Sequence, residues 1–280
     1  MSHETTATRL RVRGETVAEY VPEPDLDPRL SPRPYLHPVR TLAGVTVTDI
    51  LPEDHPHHLG VSVAVQDVNR FNLWGGRTYV RDQGYTWLED HGRIVPESWG
   101  RQADNGFGQR LRWLDPSGQT LATEDRTVSA GAIAGRDDAW LLDFAYTVTA
   151  PADRDVTLGS PATNGRPDGA GYGGFFWRAA PGNTRVLTAS AEGEEQVNGS
   201  VEPWLAMVGQ RTDGAPYTLV FSGLGEGDQW FTRAGEYPGV CIALAYQRTL
   251  TIPAGGRISR RHRVAVVDGA LTRDQLAGLS

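Results

Sequence analysis

Apolar and polar residues alternate with a period of two along much of this chain, and that pattern constrains the fold more than any other feature. Successive side chains of a strand point to opposite faces, so period-2 segments read as strands with one buried face. Val61, Val63 and Val65 alternate with Ser62, Ala64 and Gln66. Leu142, Phe144, Tyr146 and Val148 alternate with Asp143, Ala145, Thr147 and Thr149. Val240, Ile242, Leu244 and Tyr246 make a late strand, and 258–267 makes another that carries Arg261 and Arg263. Thr218 to Phe221 is a short apolar run, and residues 8–21 read as an opening strand.

Turn residues punctuate these segments: Asp115-Pro116-Ser117-Gly118, Pro151-Ala152-Asp153, Pro181-Gly182-Asn183, Thr212-Asp213-Gly214 and Pro253-Ala254-Gly255-Gly256. Only Thr272 to Leu279 reads as helix, with Thr272 as its cap. Many strands at turn-sized spacing with little helix predict an all-β fold, a large β-sandwich. The length of 280 residues suits one such domain over 1–280. An N-terminal strand and a Pro-rich connector occupy 8–34, with Pro22, Pro24, Pro28, Pro32 and Pro34 holding the connector extended.

Charge and composition exclude several function classes. The net charge is −7, opposite in sign to a phosphate-neutralising surface, so nucleic acid is not an expected partner. All 27 basic residues are arginine, which excludes a Schiff-base or P-loop lysine. No glycine-rich motif opens a helix, so no nucleotide cofactor is expected. The lone cysteine, Cys241, lies in an apolar run and reads as a buried small hydrophobe. No apolar stretch is long enough to span a bilayer, and Met1 to Thr5 begins no signal sequence; the expected location is the cytoplasm.

Chemistry concentrates in the histidines. His3 aside, His37, His55, His57, His58 and His91 fall between residues 37 and 91, and three of them lie in Asp54-His55-Pro56-His57-His58. Imidazole is the usual proton-transfer group near neutral pH and the commonest metal ligand. If 55–58 is extended, His55 and His57 share a face and His58 points away. The pair could then ligate one divalent transition metal, with His37, His91 or Glu89 as a further ligand, or could serve as base and orienting donor. A solvated histidine-rich turn is the structural alternative. Trp74, Trp87 and Trp99 could floor a sugar site or simply fill the core. The glycine-rich run from Asn164 through Asp168 to Tyr172-Gly173-Gly174, then Phe175-Phe176-Trp177-Arg178, suggests a strand rimming a pocket. Phe176 and Arg178 would share one face, Phe175 and Trp177 the other. Arg178 could hold a carboxylate or a hydroxyl pair.

Together, Arg33-Pro34-Tyr35-Leu36-His37-Pro38, Gly44, Asp54-His55-Pro56-His57-His58-Leu59-Gly60, Trp74-Gly75, Tyr172-Gly173-Gly174 and Arg178 resemble a bacterial family labelled PmoA-like, from about residue 30 to 269. The resemblance implies a galactose-mutarotase-like β-supersandwich that binds sugars in a concave face. It also implies a functional link to sugar dehydrogenases of the Gfo/Idh/MocA type. The mutarotase catalytic pattern, a histidine in an Asn-His-Pro-Tyr context and a late glutamate, is not recognisable.

Three functions are compatible with these readings. The first is an enzyme acting on a sugar or oxidised (keto) sugar by histidine-based proton abstraction, metal-assisted or not, of lyase, hydrolase or epimerase type. His55, His57 and His58 would do base or metal work and His37 and His91 would assist; Arg40, Trp74, Glu89, Tyr172 and Arg178 would hold substrate. The second is a metal-dependent cupin-like oxygenase, invited by His55-x-His57, although Leu59 to Gln66 lacks the expected acid. The third is a non-catalytic carbohydrate-binding protein.

Overall fold

A computed structural model describes residues 8–167, 169–276 and 279. His3, Asp168 and residues 277–278 of the expected C-terminal helix lie outside this range.

Two large sheets dominate. One has seven strands in the order Thr8–Val12, Glu15–Val21, Tyr35–Val39, Val61–Ala64, Gly174–Arg178, Gly239–Ala243 and Gln229–Arg233. The other has eight, in the order Gly182–Thr188, Trp204–Arg211, Pro216–Ser222, Arg257–Asp268, Ala139–Thr149, Thr120–Ala132, Gly106–Leu114 and Arg93–Ala103. Neighbours in both sheets pair antiparallel. The fold is an all-β sandwich. Val63, Phe175, Trp177 and Ile242 of the first sheet share a core with Trp113, Phe144, Phe221 and Val266 of the second. Phe144 meets Phe175 edge-on at 5.1 Å between ring centres, and Trp177 meets Phe221 at 5.6 Å. Each such fully buried side chain stabilises the sandwich by about 1.5–3 kcal/mol.

The alternation in Ala139–Thr149 appears in the structure as expected, with Leu142, Phe144, Tyr146 and Val148 buried and the intervening residues half-buried. Arg261 and Arg263 stand on the solvent side of Arg257–Asp268 and pair with Asp143. Several expectations change. Helix is not confined to the C-terminus, since Glu194–Val197 is a short α-helix and Pro28–Leu30 coils the connector into a 3-10 turn, and the late strand stops at Ala243. Residues 8–21 form a hairpin rather than one strand, turning at Arg13-Gly14, where both residues take positive φ (54° and 87°), the geometry of a tight two-residue turn. Pro181 to Asn183 is not a turn centre, because the strand Gly182–Thr188 begins there. Val61–Ala64 is buried on both faces, not one. The same holds for Gly174–Arg178 and Gly239–Ala243.

The reason is a second apolar layer. Ala64, Trp74, Tyr172, Phe176, Phe231 and Cys241 form a separate cluster on the far face of the seven-stranded sheet. The central strands therefore lie between the sandwich core and this layer, which floors the site described below. Of the C-terminal helix, Arg273–Leu276 is observed. The Thr272 amide and hydroxyl both donate to Gln275 Oε1 (2.9 and 3.1 Å), so the glutamine side chain closes the helix start instead of Thr272. Among the described residues no helix is long and apolar enough to cross a membrane.

Candidate active site

Loop 51–60 leaves and re-enters the structure beside itself. Ile50 bridges Leu59, the Leu51 amide donates to the His58 carbonyl (3.0 Å), and the Gly60 amide donates to the Asp49 carbonyl (3.0 Å). Within it the chain turns tightly: the His58 amide donates to the His55 carbonyl (2.9 Å), with Pro56 second in the turn, where its fixed φ is favoured. The turn overturns the extended geometry expected for 55–58. All three imidazoles converge, with ring centres 5.7 Å apart for His55–His57, 4.6 Å for His55–His58 and 4.8 Å for His57–His58. His58 does not point away; it is the most buried of the three.

Two glycines let the next loop close over them. Gly75 and Gly76 have φ of 99° and 71°, a region that suits glycine. A Cβ on Gly76 would lie 2.8 Å from the His57 ring, and one on Gly75 2.7 Å from His57 Cβ. Buried Asn72 shapes this loop, its Oδ1 accepting from the amides of Trp74 (2.9 Å) and Gly75 (2.8 Å). Fully buried Arg33 ties the pieces together. It donates to the carbonyls of His57 (2.9 Å) and Trp74 (2.9 Å) and to Ser62 Oγ (3.2 Å). Burial pulls its guanidinium down to about 9, still charged at neutral pH.

The ring nitrogens differ in their partners. His55 Nδ1 bonds Asp54 Oδ2 (2.7 Å). A carboxylate only accepts here, so Nδ1 of His55 carries a proton and Nε2 is the nitrogen left without this partner. His58 Nδ1 lies 3.3 Å from Arg178 Nη1. Arginine only donates, so His58 Nδ1 is the acceptor and the ring is neutral. Burial, then neighbouring His57, His55 and Arg178, hold His58 well below the ordinary histidine value. Burial and the Arg33 charge push His57 down to about 3. Burial raises the Asp54 carboxyl, but the His55 bond and the Arg178 charge outweigh it and keep the group below its usual range.

These rings line a cavity of about 340 Å³. Trp74 and Tyr172 form its floor, Tyr237 a wall, and half-exposed Trp87 its lip. Of the residues expected to bind substrate, Trp74 and Tyr172 line it. Arg178 does not: it is 4% exposed and sits behind the rings, bonded to Asp54 (3.3 Å) and stacked on Tyr237 at 4.7 Å. Its placement on the same face as Phe176 is as expected, since both meet His58.

Other expected site residues lie elsewhere. His37 turns toward Thr48, its Nδ1 2.9 Å from Oγ1, because its strand runs inside the sheet. Arg40 pairs with Glu19 on the neighbouring strand (3.1 Å). Glu89 is exposed and does not line the cavity. His91 donates through Nε2 to the Gly76 carbonyl (2.7 Å), bracing the loop from behind. Trp99 packs on Tyr20 and Phe107, away from the site. Although the three imidazoles converge, no group of three His, Cys, Asp or Glu side chains among the described residues is arranged to hold a metal ion. Cys241 is fully buried as expected, and burial pushes its thiol up to about 12. Sequence reasoning assigned no role to Arg33, Asp54, Arg77, Arg166 or Arg233. Arg33, Asp54 and Arg166 sit within segments singled out above and Arg77 lies three residues after Trp74; Arg233 comes from a distant segment and gave no signal.

The model of a family of unknown function, DUF6807, matches residues 7–280. The chain belongs to this family. The match contains the whole of 30–269, the span of the PmoA-like resemblance. No curated protein matches the sequence. A crystal structure from Escherichia coli K12, provisionally assigned as an aldose 1-epimerase, is similar with a TM-score of 0.45 at 8% identity, over 95% of this chain and 99% of that one. A likeness at that level carries no inference about the chemistry of this DUF6807 member.

Proposed function

We propose that this DUF6807 member is a carbohydrate-active enzyme that moves a proton at carbon on a sugar or oxidised (keto) sugar. One observation carries the reading: the Asp54–His55 pair stands in an aromatic-lined cavity beside two imidazoles held neutral. His55 Nε2 takes the acidic proton from the carbon next to the carbonyl, and Asp54 steadies the charge that forms. The C–H electrons move into an enolate. A neutral imidazole N–H, which His57 offers, donates a hydrogen bond to the enolate oxygen. A proton delivered by water to the other face of the same carbon inverts it, His55 returning its proton to solvent; departure of a β-substituent with its bonding electrons, protonated by water, eliminates the aglycone. The aromatic floor of Trp74 and Tyr172 suits the C–H face of a sugar ring.

The test is proton exchange in heavy water. The wild-type protein is incubated with 3-keto-glucosides and with the parent glucosides, and the α-proton signal is followed by NMR. The proposal expects catalysed exchange or elimination with the keto compounds, roughly a hundredfold or more above buffer. Binding of the sugars without exchange would replace the enzyme with a carbohydrate-binding protein.

A further inference from the structure

We propose that the cavity mouth is an anion-recognition site, and that the sugar this protein takes carries a carboxylate held by Arg77 and Arg166. The inference rests on the sugar reading above but not on the proton-transfer step.

The charge at the mouth runs against the rest of the molecule. The chain carries −7 overall, yet Arg77, Arg166 and Arg233 all line this one cavity, against the carboxylates of Asp54 and Glu236. Asp54 is already engaged by His55 and Arg178. Several arginines elsewhere neutralise acids, as Arg110 does Glu97 and Arg261 does Asp143. Among the described residues, neither Arg77 nor Arg166 lies within 4.0 Å of a carboxylate. Arg233 is weakly paired with Glu194 (3.5 Å).

Aromatic faces position these guanidinium groups instead. Arg166 lies over Tyr85 at 4.8 Å, Arg77 over Trp87 at 5.9 Å and Arg233 over Phe231 at 4.4 Å. Among the described residues the Arg77 guanidinium makes no hydrogen bond and Arg166 spends only Nη1, on the Tyr85 hydroxyl, so their remaining N–H groups are available to a carboxylate. Gathering three guanidinium groups at one mouth, with neither Arg77 nor Arg166 paired to an acid among the described residues, costs free energy that a bound anion would relieve.

A donor chain runs from the mouth to the floor. Arg166 Nη1 donates to the Tyr85 hydroxyl, which lies 2.8 Å from the Tyr172 hydroxyl. Either hydroxyl can donate in that bond, and the proposed chain runs in the direction in which Tyr85 donates to Tyr172. The Tyr172 proton is then free to point at a ligand. Burial keeps the Tyr172 phenol protonated. One cationic rim and one buried donor on one side of the cavity match a ring that carries an acid group and a neighbouring hydroxyl, as in a sugar acid.

The test is calorimetric binding of D-glucuronate, D-glucose and D-glucose 6-phosphate, to wild type and to His55→Gln, Arg77→Met and Arg166→Met. The inference expects glucuronate to bind at least tenfold tighter than glucose at low salt. That preference should shrink as salt is raised, survive in His55→Gln, and fall severalfold in Arg77→Met and Arg166→Met. Arg77 is exposed, so its variant folds even if Arg166→Met does not. Equal binding of glucuronate and glucose, binding of neither, or a preference unchanged in Arg77→Met would overturn it. Tighter binding of the phosphate would replace the carboxylate with a phosphosugar. Glucuronate preference without proton exchange on any keto-sugar would sink the proton-transfer reading and leave this one standing.

Discussion

Two histidines lie on opposite faces of one strand, and only one of them works in this account. In Gly174–Arg178, Phe176 points outward and meets His58 at 4.8 Å, while Phe175 points inward and meets His262 at 5.2 Å. Burial depresses both imidazoles, His262 to about 4. His262 lies inside the sandwich, its Nδ1 bonded to the Gly223 carbonyl (2.9 Å) and its Nε2 without a partner among the described residues. Near it in the same core, Glu124 and Arg126 form an ion pair of 2.7 Å with both side chains fully buried. None of these groups lines the cavity into which the His58 cluster opens. A depressed imidazole is therefore a mark of burial first; access to a ligand decides whether it marks a site.

The inner face should respond in stability and the outer face in turnover. The largest effect is expected from Arg126→Met, which leaves the Glu124 charge unpaired inside the sandwich. It should cost about 3–5 kcal/mol in chemical denaturation. A cost below ~1 kcal/mol would mean that the inner pair does not hold the core together.

Acid should then reveal His262. Unfolded, it titrates near 6.5; folded, burial holds it to about 4. Between those values the unfolded chain binds the additional proton, so stability falls as the pH drops through that window and is fully present above it. The loss is on the order of 3 kcal/mol at pH 4. His57 and His58, also depressed, act in the same direction. Denaturation midpoints of wild type and His262→Gln from pH 7 to pH 4 check this, and the variant should show a shallower decline.

The smallest effect on stability belongs to the outer face. Gly76→Ala places a side chain at positive φ and against the His57 ring, costing about 1–2 kcal/mol. The same change should slow exchange on a keto-sugar well beyond that loss of stability. A stable variant with unchanged exchange would remove His57 from the mechanism.

Much of this division was legible in residue order, and the rest was not for physical reasons. Ala139–Thr149 alternates cleanly because its outer residues face water, and solvent is what writes the period. Val61–Ala64 and Gly174–Arg178 carry apolar residues on both sides, because a second layer covers the outer face. The strand Arg93–Ala103 left no pattern, since beyond Ile94 none of its residues is buried. The Asp54–His58 motif and Trp74 pointed to the cavity because one short loop and its cover line much of it. Arg77, Arg166 and Arg233 meet only through tertiary folding, and no local spacing announces them. His37 and Arg40 misled for the converse reason, since nearness in sequence on a strand does not bring side chains to one place.

The most direct measurement is α-proton exchange into a 3-keto-glucoside, compared between wild type, His55→Gln and His262→Gln at pH 7, each confirmed folded. His262→Gln should keep a rate within a fewfold of wild type, and His55→Gln should lose roughly a hundred- to ten-thousandfold. A His55→Gln rate equal to that of wild type, or a His262→Gln loss as large as that of His55→Gln, would contradict the assignment of the chemistry to the outer face.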